Sequence, residues 1–262
     1  MLLNVKGLVI KTVDIADNDK LITLYTEEKG IITAVANGSK AIKSRYMAAT
    51  QLFCYSNYVL YKKSDRFWVR EVDLIESFFD LRLKLERTAL ATYVCDVINY
   101  VAVAEEPDIP LLRLTLNTLF AISQEKHALP KIKAAFELRC ASIIGFSPDV
   151  YACSKCEKSK GDFFLDILDG KLLCAECKSK GNQTSISNAY EQEHLSTICY
   201  VTELARLAME YVINCPIEKF LSFSLDGEDL KTFSYASEEF LINHIEQSFK
   251  SLDFYKQIIT GD

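Results

Sequence analysis

Four cysteines constrain this chain more than any other feature. Cys153-Ser-Lys-Cys156 and Cys174-Ala-Glu-Cys177 form two C-x2-C pairs separated by seventeen residues. A two-residue gap lets a tight turn point two sulfurs at one ion, and a second such turn completes a tetrahedron. The stretch between them, FFLDILDGKLL at 163–173, alternates and carries the turn signal Asp169-Gly170. The spacing therefore predicts a ribbon closed by one zinc ion on Cys153, Cys156, Cys174 and Cys177. Four thiolates leave no open coordination position, so the metal is expected to hold structure and do no chemistry. The other five cysteines, Cys54, Cys95, Cys140, Cys199 and Cys215, stand singly inside apolar segments. They read as small buried hydrophobes in a reducing compartment, where disulfides are rare. A redox C-x-x-C normally occurs once, near a βαβ pattern, which is missing here. A zinc deaminase would need H-x-E beside P-C-x-x-C, and neither is present.

On either side of this module the periodicity differs. Residues 4–76 alternate in short runs: LVIKTVDI at 8–15, LITLYTEE at 21–28, IITAVAN at 31–37, FCYSNYVLYKK at 53–63 and FWVREVDLIE at 67–76. Turn residues punctuate them at Asp17-Asn18-Asp19, Lys29-Gly30, Asn37-Gly38-Ser39 and Ser64-Asp65. Five short strands in so few residues predict a small closed barrel. An OB-fold fits, and periodicity alone leaves an SH3-like barrel open. From residue 78 the period becomes helical. Leu90, Tyr93, Val94, Val97, Ile98 and Val101 mark one helix, Leu112 to Phe120 a second, and Ile132 to Ile143 a third. Pro107, Pro110 and Pro130 sit at expected helix starts, and Gly145 and Pro148 follow the third helix. Helix is expected again from about 190 to 213, before Asn214-Cys215-Pro216, and from about 228 to 249. The expected fold class is α+β: an N-terminal OB-fold β-barrel, then an α-helical domain with an inserted four-cysteine zinc ribbon. The domain boundaries are 1–78 for the barrel, 79–149 and 184–262 for the helical domain, and 150–183 for the zinc module.

Charge is unevenly placed. The chain has 262 residues, 49% of them apolar, and a net charge of -6. Residues 1–70 hold eleven Lys/Arg against six Asp/Glu, or +5; the remainder holds nineteen against thirty, or -11. Within 29–70 stand Lys29, Lys40, Lys43, Arg45, Lys62, Lys63, Arg66 and Arg70, with Asp65 the one acid. Such asymmetry points to a local anion-binding surface on a chain whose acidic remainder suits protein partners. Two basic clusters fall at predicted turns: Lys40, Lys43 and Arg45 in one, Lys62, Lys63 and Arg66 in the other, with Arg70 on the next strand. Tyr46, Tyr55, Tyr58, Tyr61, Phe67 and Trp68 are interleaved with them. Cations that meet phosphates beside aromatic faces that stack on bases are the mark of single-strand binders. Basic loops are also often simply solvated and strand aromatics are usually core, so charge alone leaves both readings open. With no base-reading helix signature, binding is expected to be independent of sequence and dependent on salt.

No catalytic constellation emerges. There is no G-x-x-x-x-G-K-[ST] and no G-x-S-x-G, so no nucleotide cofactor and no hydrolase chemistry is expected. His127, His194 and His244 are scattered, and Glu105-Glu106 and Glu238-Glu239 suit helix N-termini. The start MLLNVKG has no long apolar run behind it, and no uninterrupted apolar stretch of about 18 residues occurs. Neither a signal peptide nor a membrane span is expected, and a cytoplasmic location is.

Several local motifs, taken in order, resemble the bacterial recombination mediator family RecO. Gly7-Leu8-Val9-Ile10-Lys11, Asp19 to Thr26 and Lys29-Gly30 look like the opening strands of its OB-fold. Gly38-Ser39-Lys40-Ala41-Ile42-Lys43-Ser44-Arg45 is similar to its basic loop. Phe136-Glu137-Leu138-Arg139 and Gly145-Phe146-Ser147-Pro148 lead into the cysteines as in the family, and Lys250 to Tyr255 resembles its ending. The resemblance covers essentially the whole chain. It departs after the second cysteine, where the family often has glycine and this chain has Glu157, and before the third, where paired glycines are replaced by Asp169-Gly170. Some members lack the cysteines, which agrees with a structural role for the metal. The resemblance implies a non-enzymatic DNA repair and recombination protein that binds single- and double-stranded DNA, anneals complementary strands and, with RecR, helps load the recombinase onto strands covered by single-strand-binding protein. It also implies nucleoid association, and phosphate contacts by Lys40, Lys43 and Arg45. The alternative is a zinc-ribbon scaffold that binds proteins without touching DNA.

Overall fold

A computed structural model describes residues 2–15, 17–41, 43–64, 66–183 and 197–260. Ile42, Asp65 and residues 184–196, where the fourth helical stretch was expected to begin, lie outside the described residues. The elements in chain order are β1 (Leu2–Asp14), β2 (Lys20–Thr26), β3 (Gly30–Ala36), β4 (Tyr55–Lys63), β5 (Arg66–Glu76), α1 (Leu85–Val101), α2 (Ile109–Gln124), α3 (Leu129–Ile143), β6 (Asp149–Cys153), β7 (Phe163–Asp166), β8 (Lys171–Cys174), α4 (Ala175–Gln183), β9 (Ile198–Val201), α5 (Glu203–Asn214), α6 (Gly227–Ile245) and α7 (Lys250–Thr260). None of these helices is long and apolar enough to cross a membrane. They form two compact units: Met1–Lys126 with Phe249–Asp262, and His127–Ser248.

In the first unit the five strands close into a barrel of order β1-β2-β3-β5-β4, with β4 returning to β1 and a short parallel pairing of β3 with β5. This five-stranded closed order is that of an OB-like barrel. The period-2 pattern seen in the sequence places Val5, Val9, Ile22, Leu24, Ile32, Ala34, Tyr58, Leu60 and Val69 together in its core. Strands this long must bend to close so small a barrel. They do so at bulges, where Ile10 in β1 and Arg70 and Ile75 in β5 are extra residues without a cross-strand partner. The β4–β5 turn is two residues long, and Ser64 takes the left-handed conformation (φ 53°) that such tight turns require.

The helices of this unit follow the sequence signals. Asp108 caps α2 by accepting from the Leu111 amide at 2.9 Å, with Pro110 in the first turn. α1 packs against α7, and Phe249 just before α7 meets Tyr93 and Tyr100 edge-on. The barrel is sealed on one side by the chain between α1 and α2. Tyr25 of β2, fully buried, donates its hydroxyl hydrogen to the Asp108 carbonyl at 3.1 Å. Gly30 (φ 54°) lies so close to residues 103–106 that a Cβ there would stand 2.2 Å from the Glu106 carbonyl oxygen.

In the second unit α3, α5 and α6 pack together beside a four-stranded sheet of order β6-β8-β7-β9. Of the helix expected over 190–213, the described part from residue 197 is a strand followed by a shorter helix. Ile198–Val201 alternates, burying Cys199 and Val201, and pairs with β7. The expected 228–249 helix likewise ends early. Glu246 turns left-handed (φ 52°) and its amide bonds to the Asn243 carbonyl, so α6 stops at Ile245 and Phe249 belongs to the other unit. Between α3 and α6 lies a buried ionic cluster: Lys133 Nζ is 2.9 Å from Glu137 and 2.7 Å from Glu238. Burial alone would favour the neutral amine, but the two carboxylates win and hold the Lys133 ammonium above its ordinary pKa.

Two substitutions test this arrangement. Gly30→Ala should cost about 2–4 kcal/mol of urea-measured stability, because it adds both a left-handed strain and a backbone collision. Lys133→Met should cost about 3–5 kcal/mol by leaving two buried carboxylates without their shared cation. Unchanged urea midpoints would show that either site relaxes freely.

Candidate metal centre and nucleic-acid interface

The cysteines arrive from separate elements. Cys153 ends β6, Cys156 lies in the turn that follows, Cys174 ends β8, and Cys177 sits in the first turn of α4. The parallel pairing of β6 with β8 brings the two pairs together, once the β7–β8 hairpin has turned the chain back. The hairpin's four-residue connection is fixed by Asp166, whose carboxylate accepts from the amides of Leu168 and Asp169 at 3.1 Å, and by Gly170 (φ 64°). A Cβ at Gly170 would touch the Phe240 ring of α6. Arg206 of α5 donates to the Val150 carbonyl at 2.9 Å, so helix and strand hold the base of the ribbon.

The four sulfurs all lie within 4.8 Å of one another, and Cys156 Sγ is 3.6 Å from Cys174 Sγ. Tetrahedral zinc with bonds of about 2.3 Å would set sulfurs about 3.8 Å apart, so the residues present fit the ion. A disulfide would need about 2.05 Å, and none of the nine cysteines is in a disulfide. The Cys174 amide points at Cys153 Sγ at 3.3 Å, as expected where backbone donors stabilise a thiolate. Burial pushes the Cys153 thiol up, but amides of Cys174, Lys155 and Cys156 outweigh it and hold it low, at about 6. Cys177 is pushed up to about 12 by the sulfurs of Cys156 and Cys174 beside it. Crowded sulfurs resist ionising together, and a dication at their centre relieves that conflict.

Glu157, where the resemblance leads one to expect glycine, is left-handed (φ 60°) and donates its amide to the Cys153 carbonyl at 2.9 Å. The turn thus imposes a glycine conformation on a glutamate. Glu157→Gly should leave metal content unchanged and raise stability by up to about 1 kcal/mol, as read from thermal unfolding of the full chain. A lower melting temperature would refute the strain.

The basic residues fall into different settings. Lys63 and Arg66 face each other across the β4–β5 ladder, with Lys62 beside them over the Phe67 ring at 5.7 Å. Lys62, Lys63, Arg66 and the exposed Lys43 make no ion pair with any described residue. Lys40 is engaged with Asp14 at 2.9 Å, which holds the Asp14 carboxyl below its ordinary pKa. Both partners are solvated, so a phosphate could take the place of the carboxylate. Arg45 has a structural contact. Its guanidinium and the Tyr46 hydroxyl both donate to the carbonyl of Arg70, at 3.1 and 2.6 Å, which the bulge leaves accessible. Arg70 itself is exposed, with its Nε 3.7 Å from Glu71. Of the aromatics, Tyr58 is buried in the barrel core and Tyr46 and Phe67 pack against it. Tyr61 and Trp68 are half-exposed, their rings nearly parallel at 18° and 6.3 Å apart. This last pairing was available in the sequence: a two-residue turn at 64–65 forces 63 opposite 66 and 61 opposite 68.

The comparisons with known proteins agree along the chain. Residues 1–78 match the family described as Recombination protein O N terminal, and residues 82–253 match Recombination protein O C terminal. DNA repair protein RecO of Acetivibrio thermocellus is 32% identical over 257 residues, which is 98% of this chain and 97% of that protein. DNA repair protein RecO of Clostridium acetobutylicum is 26% identical over 95% of this chain and 94% of its own length. That of Symbiobacterium thermophilum is 32% identical over 69% of this chain and 73% of its own. With both halves matched and the order of parts conserved in the fold, the chain belongs to the RecO family of DNA repair proteins.

Proposed function

We propose that this chain is a non-enzymatic recombination mediator. It binds single- and double-stranded DNA without sequence specificity, anneals complementary strands and assists recombinase loading together with RecR on strands covered by single-strand-binding protein. Such work suits a cytoplasmic, nucleoid-associated protein. The observation that carries this reading is the cationic hairpin of the barrel. Lys62, Lys63 and Arg66 gather where residues 1–70 are +5 and the rest of the chain is -11, and none of them is spent on a described carboxylate. Cations gathered on a closed barrel attract any phosphate backbone. Two strands neutralised on one surface repel each other less, which favours pairing. Lys43, Lys40, Arg45 and Arg70 extend the surface, the last three with a partner already engaged elsewhere on the barrel surface. Residues 1–78 serve DNA, the helical segments 79–149 and 184–262 serve protein partners, and 150–183 is a zinc module.

One zinc ion on Cys153, Cys156, Cys174 and Cys177 supplies folding free energy to the ribbon and no reaction step, since the four sulfurs fill its coordination sphere. The chain's own part is to bring two turns together and to offer amide donors to the sulfurs.

The test is a titration of DNA at several salt concentrations. With about four phosphate contacts, the logarithm of affinity should fall with the logarithm of salt at a slope near -3 to -4. Lys62→Glu, Lys63→Glu and Arg66→Glu combined should weaken single- and double-stranded DNA alike and flatten that slope by about 3. Equal affinity at physiological salt would refute the assignment. If the unaltered protein retains no DNA at all, the protein-only scaffold becomes the better reading.

A further inference from the structure

The hairpin that carries Lys63 and Arg66 also carries the chain's one tryptophan, Trp68. On β4 and β5, Leu60 and Val69 point into the barrel core. Tyr61, Lys63, Arg66 and Trp68 occupy the alternate positions and share the outer face. Tyr61 lies opposite Trp68, and one ladder step towards the turn Lys63 lies opposite Arg66. The aromatic rings are nearly parallel and both are half-exposed. On the β1 side the row continues with Leu2, opposite Tyr61 and 54% exposed. Such a face is not needed for packing, and an apolar row flanked by cations with no described ion pair is a costly thing to leave in water.

OB-folds commonly receive nucleic acid across the outer face of strands 2 and 3. That route is partly closed here. Tyr25, on the outer face of β2, is fully buried and bonded to the Asp108 carbonyl, and Gly30 and Ile31 at the start of β3 are covered by residues 103–106. The open aromatic surface of this barrel is instead on β1, β4 and β5.

We propose that this outer face is a stacking platform for unpaired bases. Single-stranded DNA lies across it with one or two bases on the Tyr61–Trp68 rings and its phosphates at Lys63 and Arg66. Stacking needs a free base face, which a duplex offers only at its ends, whereas phosphates are offered by both forms. The cations therefore bind any DNA and the aromatic pair adds affinity for the unpaired strand alone. The platform rests on the DNA-binding reading above and gives it a preference.

The single tryptophan makes the test direct. The full chain is titrated with an oligothymidylate of about 20 nucleotides and, separately, with a duplex of similar length closed by loops at both ends. Binding is followed by anisotropy of labelled DNA and by Trp68 emission. Stacking predicts quenching of Trp68 by the single strand, and little change with the closed duplex even at saturating anisotropy. Trp68→Leu and Tyr61→Leu should each weaken the single strand about tenfold or more while changing duplex affinity less than about twofold. If the unaltered protein binds the oligothymidylate with no change in emission, or if folded Trp68→Leu binds it as the parent does, the platform is overturned while DNA binding stands. If neither DNA is retained, the failure lies in the DNA-binding reading itself.

Discussion

Closure of the barrel is the constraint on which the placing of the basic residues depends. A five-stranded barrel needs strands that change direction, and the change in β5 is made at Arg70, an extra residue with no cross-strand partner. A bulge leaves a backbone carbonyl to be satisfied. Here the Arg45 guanidinium and the Tyr46 hydroxyl satisfy it, which also ties the loop after β3 to β5. One basic residue of the loop is thereby built into the fold, while the cations at the hairpin tip have no ion pair among the described residues. The same strand presents Phe67 and Val69 inward and Arg66 and Trp68 outward, so the core and the exposed platform are two sides of one alternation.

The second unit solves a different problem. Its sheet is small, with three of its four strands only four residues long, and such a sheet buries little apolar surface of its own. A zinc ion on the four gathered sulfurs would compensate, and Arg206 and Phe240 press the ribbon against α5 and α6. Nearby, Lys133 with Glu137 and Glu238 places charge where a hydrophobic cluster would serve stability at least as well. Three charged groups that must meet fix the register of α3 on α6 more narrowly than apolar side chains would.

Much of this was legible in the residues. The five strands lie within a few positions of their alternating runs, Pro110 and Pro130 do open helices, and the cysteine spacing does gather four sulfurs. What escaped depends on long-range pairing. Ile198–Val201 is a strand because β7 offers it an edge, and in isolation four such residues do not distinguish strand from helix. The end of α6 was missed because Glu246, with no glycine or proline nearby, takes the left-handed turn. The site divides similarly. Spacing alone picked out the four cysteines that the fold gathers, but which lysines and arginines are already engaged depends on Asp14 and the Arg70 carbonyl, which only the folded chain brings near.

The membership of Phe249 and α7 in the first unit has a consequence for how the chain is made. That unit begins with the first strand and is completed only by residues 249–260, with the whole of 127–248 synthesised in between. As the protein leaves the ribosome, the barrel and the first two helices exist for more than a hundred residues before the segment that covers Tyr93 and anchors at Asp96 through Ser251. The face of α1 awaiting that segment is apolar, and during this interval it is open to chaperones, to premature self-association, or to a nascent neighbour offering its own tail.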